Sequence, residues 1–101
     1  MTKYQLRFLP SATRDLNEIY ERVSDSLGTY WANIVLSRII KDIYKLQIFP
    51  TGYNTIPEMP EFRRKKSKKY LIIFQVIKKD KTVIIVDIFY GRRNYLPLIS
   101  N

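Results

Sequence analysis

Residues 70–90 read YLIIFQVIKKDKTVIIVDIFY, two apolar runs (Tyr70 to Ile77 and Thr82 to Tyr90) separated by the charged tetrapeptide Lys78-Lys79-Asp80-Lys81. Both runs are short, bounded by polar residues and rich in β-branched and aromatic side chains, so the stretch predicts a β-hairpin with KKDK as its turn. Neither run alternates cleanly between apolar and polar residues. That pattern predicts strands covered on both faces, or covered on one face with the other offered to a partner.

Working toward the N-terminus, Phe62 to Lys66 predicts a short strand inside the basic segment FRRKKSKK. Residues 50–60, PTGYNTIPEMP, hold three prolines and a glycine and predict a surface connection. Lys3 to Phe8 alternates, with Tyr4, Leu6 and Phe8 on one side, and predicts a first strand ended by Pro10. Between these lie two stretches of helical period. The first opens at Ser11, its expected N-cap, runs along Ala12, Leu16, Ile19, Tyr20, Val23 and Leu27, and stops at Gly28. The second runs from Thr29 to about Phe49 along Trp31, Val35, Ile39, Ile43 and Leu46, before Pro50. The expected order is β-α-α-β-β-β, an α+β fold with a helical hairpin packed on a small antiparallel sheet. Residues 1–101 are read as a single domain.

The chain has no Cys and no His, which removes disulfides, thiolate metal sites and the commonest neutral metal ligand. No metal and no cofactor are expected, and acid–base chemistry would fall to carboxylates, Lys, Arg or Tyr. No apolar run approaches the roughly 20 residues of a membrane span, and the N-terminus lacks a signal-peptide pattern, so a cytoplasmic protein without a membrane partner is expected. The formal charge is +9, and it is uneven. Residues 1–50 carry seven basic and five acidic residues, net +2, whereas residues 51–101 carry eleven and four, net +7. The second half is therefore where an anionic partner is expected, although surface charge also serves solubility.

Within that half, a strand through Arg63 to Lys69 would send Arg64, Lys66 and Lys68 to one face and Arg63, Lys65 and Lys69 to the other. Lysines also protect an exposed edge strand, so two readings stand for this segment. A second basic pair, Arg92 and Arg93, follows the last strand beside Tyr90 and Tyr95. Cations interleaved with aromatic rings suit RNA, while an ordinary strand exit with Tyr95 packed back on the sheet is the other reading. Asp15, Glu18, Glu21 and Asp25 are read as solvated charges on the polar side of the first helix, and Trp31 and the helical tyrosines as core. Asp87, inside an apolar strand, is read as a structural carboxylate partnered by Arg93 or a backbone amide.

The ordered set of Ala12, Asp15 and Leu16 as A-x-x-D-L, Leu46, Phe49 and Pro50 as L-x-x-F-P, the basic strand, KYLIIFQV and the terminal VDIFYGRRNY resembles toxins of the RelE/ParE superfamily over almost the whole chain. The resemblance implies a cognate antitoxin that wraps the toxin and covers much of the basic C-terminal half. It also implies one of two targets. Relatives similar to RelE cut messenger RNA on the ribosome without a metal. Carried over to this sequence, that chemistry implies Arg64, Lys66, Arg93 and Tyr95 as catalytic residues, with Arg63, Lys65, Lys68, Lys69 and Arg92 binding nucleic acid. Two departures stand out: Leu71 occupies the place of a RelE arginine that stabilises the transition state, and Tyr95 lies closer to the arginine before it than in RelE. Relatives similar to ParE inhibit DNA gyrase and perform no chemistry. Ribosome-dependent mRNA cleavage is the first reading, gyrase inhibition the alternative, and a non-toxic nucleic-acid-binding module the third.

Overall fold

The computed structural model describes residues 3–91 and 95–99. Arg92 and Arg93 lie outside the described residues. The expected hairpin forms β4 (Tyr70–Ile77) and β5 (Thr82–Tyr90), the long central pair of a five-stranded sheet. Ahead of them come β1 (Gln5–Phe8), α1 (Pro10–Leu27), α2 (Thr29–Lys45), β2 (Thr55–Ile56) and β3 (Met59–Ser67). The strand order across the sheet is β1-β5-β4-β3-β2. The α+β class and the helical hairpin are as read from sequence, but the sheet is mixed rather than wholly antiparallel. β1 runs parallel to β5, Gln5 beside Thr82 and Phe8 beside Ile85, because the helical hairpin carries the chain away before it returns as the sheet.

Both faces of β4 and β5 are covered, which explains their unbroken apolar sequence. On one face Ile72, Phe74, Val83, Ile85 and Ile88 pack with Ala12 and Ile19 of α1 and Ile39 and Ile43 of α2. On the other, Ile73, Val86 and Phe89 join Ile56 and Phe62, and the C-terminal residues Tyr95, Leu96 and Ile99 lie over them.

The two helices are joined at Gly28, whose φ of +94° is strained for any side chain. α1 starts at Pro10, preorganised for a first helical position, rather than being capped by Ser11. Ser11 is buried instead, for a reason given below. The inward stripe of α2 passes through Ala32, Ile39 and Ile43, which turns the helical aromatics outward: Tyr30, Trp31 and Tyr44 are 71%, 49% and 58% exposed, against the expectation that they are core. α2 ends at Lys45, short of Phe49, because Phe49 adopts a left-handed conformation and Gln47 is used to hold the entry to β1. The Gln47 carbonyl accepts from Tyr4 N–H and its Nε2 donates to the Tyr4 carbonyl, both at 3.0 Å. β3 begins earlier than Phe62, since β2 forms inside the 50–60 connection and pairs with it.

A bulge interrupts the β4–β5 ladder. Ile73 faces Asp87 and Phe74 faces Ile85, leaving Val86 without a partner across the pair. The backbone groups at the bulge are met by α1 where it crosses β5 beyond the end of β1. Ser11 Oγ donates to the Val86 carbonyl at 2.6 Å, and Ile88 N–H donates to Asp15 Oδ2 at 3.0 Å. A buried carbonyl or amide left unpaired costs about 1–3 kcal/mol, so these contacts fix α1 on the sheet.

Asp15 is therefore half-buried rather than solvated. Burial pushes its carboxyl up to about 6; the Ile88 N–H pulls the other way, and the neighbouring Asp87 carboxyl adds to the rise by a shared hydrogen bond and by its charge. A carboxyl whose folded pKa exceeds its unfolded value of 3.8 contributes stability below the unfolded value, and that contribution is lost as pH rises through about 6. Asp15→Asn keeps an acceptor for Ile88. Thermal melts from pH 5 to pH 7 are expected to show the wild type losing stability relative to this variant as pH rises, and parallel curves would contradict the assignment.

Candidate functional site

Strand β3 divides its basic residues between two environments, as its two-residue period requires. On the helix-facing side Arg63 Nη1 donates to the carbonyls of Tyr53 and Thr51, at 2.7 and 3.2 Å. Lys65 Nζ lies 5.2 Å from the centre of the Tyr53 ring, and that ring packs edge-on against Phe74. Ser67, next on this side, is buried and donates through Oγ to Asp42 Oδ2 at 2.5 Å, with Lys45 Nζ 3.3 Å from the other carboxylate oxygen. Burial resists ionisation of Asp42, but hydrogen bonds from Ser67 and Lys45 and the charges of Lys45 and Lys65 outweigh it and hold the carboxyl below its usual value. This side of β3 ties the 50–56 connection and α2 to the sheet.

On the opposite side Phe62 is buried in the second core, and Arg64 and Lys66 stand exposed beyond it. Arg64 Nη1 donates to the Tyr95 hydroxyl at 2.9 Å. The Tyr95 ring stacks on Phe89, 6.1 Å between centres and 25° between planes. Tyr95 thus packs back on the sheet after the last strand. Lys66 faces Leu71 across the β3–β4 ladder, and Leu71 is itself packed into the second core. Lys66, Lys68, Lys69, Tyr70, Leu71, Tyr90, Gly91 and Tyr95 line a groove of about 540 Å³. Among the described residues, no carboxylate contributes to its lining.

Of the residues singled out in the sequence, Arg64, Lys66, Lys68, Lys69 and Tyr95 are brought to this groove or its rim. Arg63 and Lys65 are placed on the other face, but Lys69, expected with them, lines the groove, because β3 ends at Ser67 and the left-handed turn at Lys68 breaks the alternation. Arg92 and Arg93, and with them the expected Asp87–Arg93 pair, fall outside the described residues. Sequence reading missed the Tyr70–Tyr90 pair, ring centres 5.3 Å apart, at the groove's edge. Burial pushes the Tyr70 hydroxyl up, Tyr90 adds to the rise and Arg22 opposes it. Register was the available signal: Tyr70 opens β4, Tyr90 closes β5, and the hairpin sets them side by side.

The division of β3 is testable. Hydrogen bonds from a charged donor are worth about 1.5–3 kcal/mol, so Arg63→Ala is expected to lower stability by about that amount. Arg64→Ala, at an exposed contact, should cost less than about 1 kcal/mol. Equal losses in paired urea melts would contradict the placement.

Residues 6–95 match the ParE toxin family of type II toxin–antitoxin systems, parDE, and the chain belongs to that family. No curated protein matches the sequence. The fold is similar to a chain of the chromosomal ParDE system from P. aeruginosa, with a TM-score of 0.78 and 22% identity over 89% of this chain and 98% of that one. It is also similar to a chain of the RelBE2 toxin–antitoxin complex from Mycobacterium tuberculosis, with a TM-score of 0.67 and 18% identity over 89% and 93% of the two chains. A mutant of the E. coli toxin RelE in the free state matches with a TM-score of 0.65 and 19% identity over 95% and 90%. The protein is a type II toxin of the RelE/ParE superfamily with two helices packed on a mixed sheet. No helix among the described residues is long and apolar enough to cross a membrane.

Proposed function

We propose that this toxin is held silent by a cognate antitoxin and, when released, arrests growth by binding DNA gyrase, without bond-breaking chemistry of its own. The observation that carries the reading is the Arg64–Tyr95 contact. Cleaving RNA requires a group to activate the ribose 2′-oxygen, another to protonate the leaving oxygen, and a cation that follows the growing charge on phosphorus. Here the Tyr95 hydroxyl already accepts from Arg64 and its ring is stacked on Phe89, so both side chains serve to seat the C-terminal segment on the sheet. Leu71, where RelE relatives carry an arginine, faces Lys66 and adds an apolar surface instead of a charge. Membership of the ParE family supports the same direction, as does the ParDE system, whose chain shares this fold.

The antitoxin is inferred from the toxin–antitoxin systems in which the similar folds occur. Ribosome-dependent mRNA cleavage is the second reading, favoured by the placement of Lys66 and Tyr95 in one groove. The test is a titration of the purified chain into gyrase acting on relaxed plasmid. Supercoiling is expected to fall with added toxin and to return when the antitoxin is supplied. Full supercoiling at saturating toxin would overturn the proposal.

A further inference from the structure

The apolar stripe of α1 outlasts the sheet it packs on. Ile19 is buried, Val23 is half-buried, and Leu27, next on the same side, is 65% exposed. In α2, Ile39 is buried and Val35 half-buried. Between these residues and the β3–β4 turn lies a cavity of about 570 Å³, within the size range of small-molecule sites. By their burial, Ile39 forms its floor and Val23, Val35 and Tyr70 its walls.

The mouth has the opposite character. The four cations of the lining, Arg22, Arg38, Lys68 and Lys69, are all exposed, and among the described residues no carboxylate joins them. The Asp42 carboxylate beside Ser67 is already held by Ser67 Oγ and Lys45 Nζ. Lys68 has a φ of +57°, a left-handed conformation that glycine adopts freely and lysine only at a cost. Glycine would make the more stable turn; the lysine keeps a charge at the cavity mouth.

We propose that this cavity binds a single-chain amphiphile with an anionic head, a fatty carboxylate being the simplest, its chain against Val23, Val35 and Ile39 and its head among Arg22, Arg38 and Lys68. Apolar walls below a ring of cations match that division within one ligand. A nucleotide fits less well. Apart from the cations and two tyrosine hydroxyls, the polar lining is Ser26 and Ser67, and Ser67 is spent on Asp42, so little remains to meet the edge of a base. A second copy of this chain would set four cations against four. Lys68, Lys69, Tyr70 and Tyr90 also line the groove that holds Lys66 and Tyr95, so an anion bound here lowers the positive charge of that groove as well. The proposal stands whichever target the toxin has.

Titration of the full chain with octanoate, decanoate and dodecanoate, each below its micelle concentration, tests it. Dodecanoate is expected to shift the amide resonances of Val23, Val35, Ile39 and Tyr70, and affinity should rise about fourfold for each methylene buried. Dodecyltrimethylammonium, the same chain with a cationic head, should bind at least about tenfold more weakly. Lys68→Gly combined with Arg38→Gln, both at exposed sites, should leave the thermal melt in place and weaken dodecanoate binding by about tenfold or more. Equal binding of the two head groups, affinity indifferent to chain length, shifts confined to Lys66 and Tyr95, or undiminished binding by the double variant would overturn the proposal. So would binding to phosphatidylglycerol vesicles, or to a Glu-rich helical peptide, by a chain that does not bind free dodecanoate, since the cations would then serve a membrane surface or a protein.

Discussion

Phe74→Ala is expected to lower the unfolding free energy by about 3–5 kcal/mol, the usual loss for a phenylalanine deleted from a packed core. Phe74 has no exposed surface, sits on the central strand β4 beneath the helical hairpin, and packs against the edge of Tyr53. Tyr53 in turn receives Arg63 at its carbonyl and Lys65 over its ring. Removing the ring therefore leaves a cavity where β4, the 50–56 connection and the inner side of β3 meet. A domain of this size has a total stability of only about 5–15 kcal/mol, so the variant should unfold at a much lower urea concentration with little change in slope. A loss below about 1.5 kcal/mol would mean that the packing around Tyr53 is not as described.

The second large effect is expected at the C-terminal segment. Leu96 and Ile99 are half-buried over Ile73, Val86 and Phe89. Full burial of such a side chain is worth about 1.5–3 kcal/mol, so replacing both with serine should cost roughly 2–3 kcal/mol. It should also leave an apolar sheet face open to water, a recognised cause of association. The double variant is expected to melt earlier and to bind a hydrophobic dye in its folded state. A melt unchanged from wild type would show that the segment does not cover the second core.

That segment marks a limit of what the sequence makes legible. The period-two and period-3.6 patterns are local, and they place the hairpin, both helices and the basic strand. Pairing direction is not local: nothing in Gln5–Phe8 states that it lies parallel to Thr82–Ile85, because the intervening helical hairpin decides it. The bulge at Val86 is equally silent, having no Gly or Pro to announce it, yet it shifts the phase of β5 so that Ile88 faces the helices. Ser11 and Asp15 act through contacts 75 and 73 residues away. The helical period put Asp15 on the polar, solvated side of α1, because a local pattern cannot show that Ile88 N–H waits there for its carboxylate.

For the candidate site, alternation along β3 correctly separated Arg64 and Lys66 from Arg63 and Lys65. What it could not indicate is that Tyr53 and the carbonyls of the 50–56 connection occupy the second pair, while Arg64 is taken by Tyr95. Side-chain type alone gives every lysine and arginine in the strand an equal claim on an anionic partner. Tertiary contacts make them unequal.

The central claim, that this toxin arrests growth by binding gyrase rather than by cutting RNA, is tested most directly in cells within minutes of induction. Messenger RNA 5′ ends and the topoisomer distribution of a reporter plasmid should be measured in the same culture. The expected result is loss of negative supercoiling with no new 5′ ends inside translated codons. New ends within codons while plasmid supercoiling stays normal would contradict it.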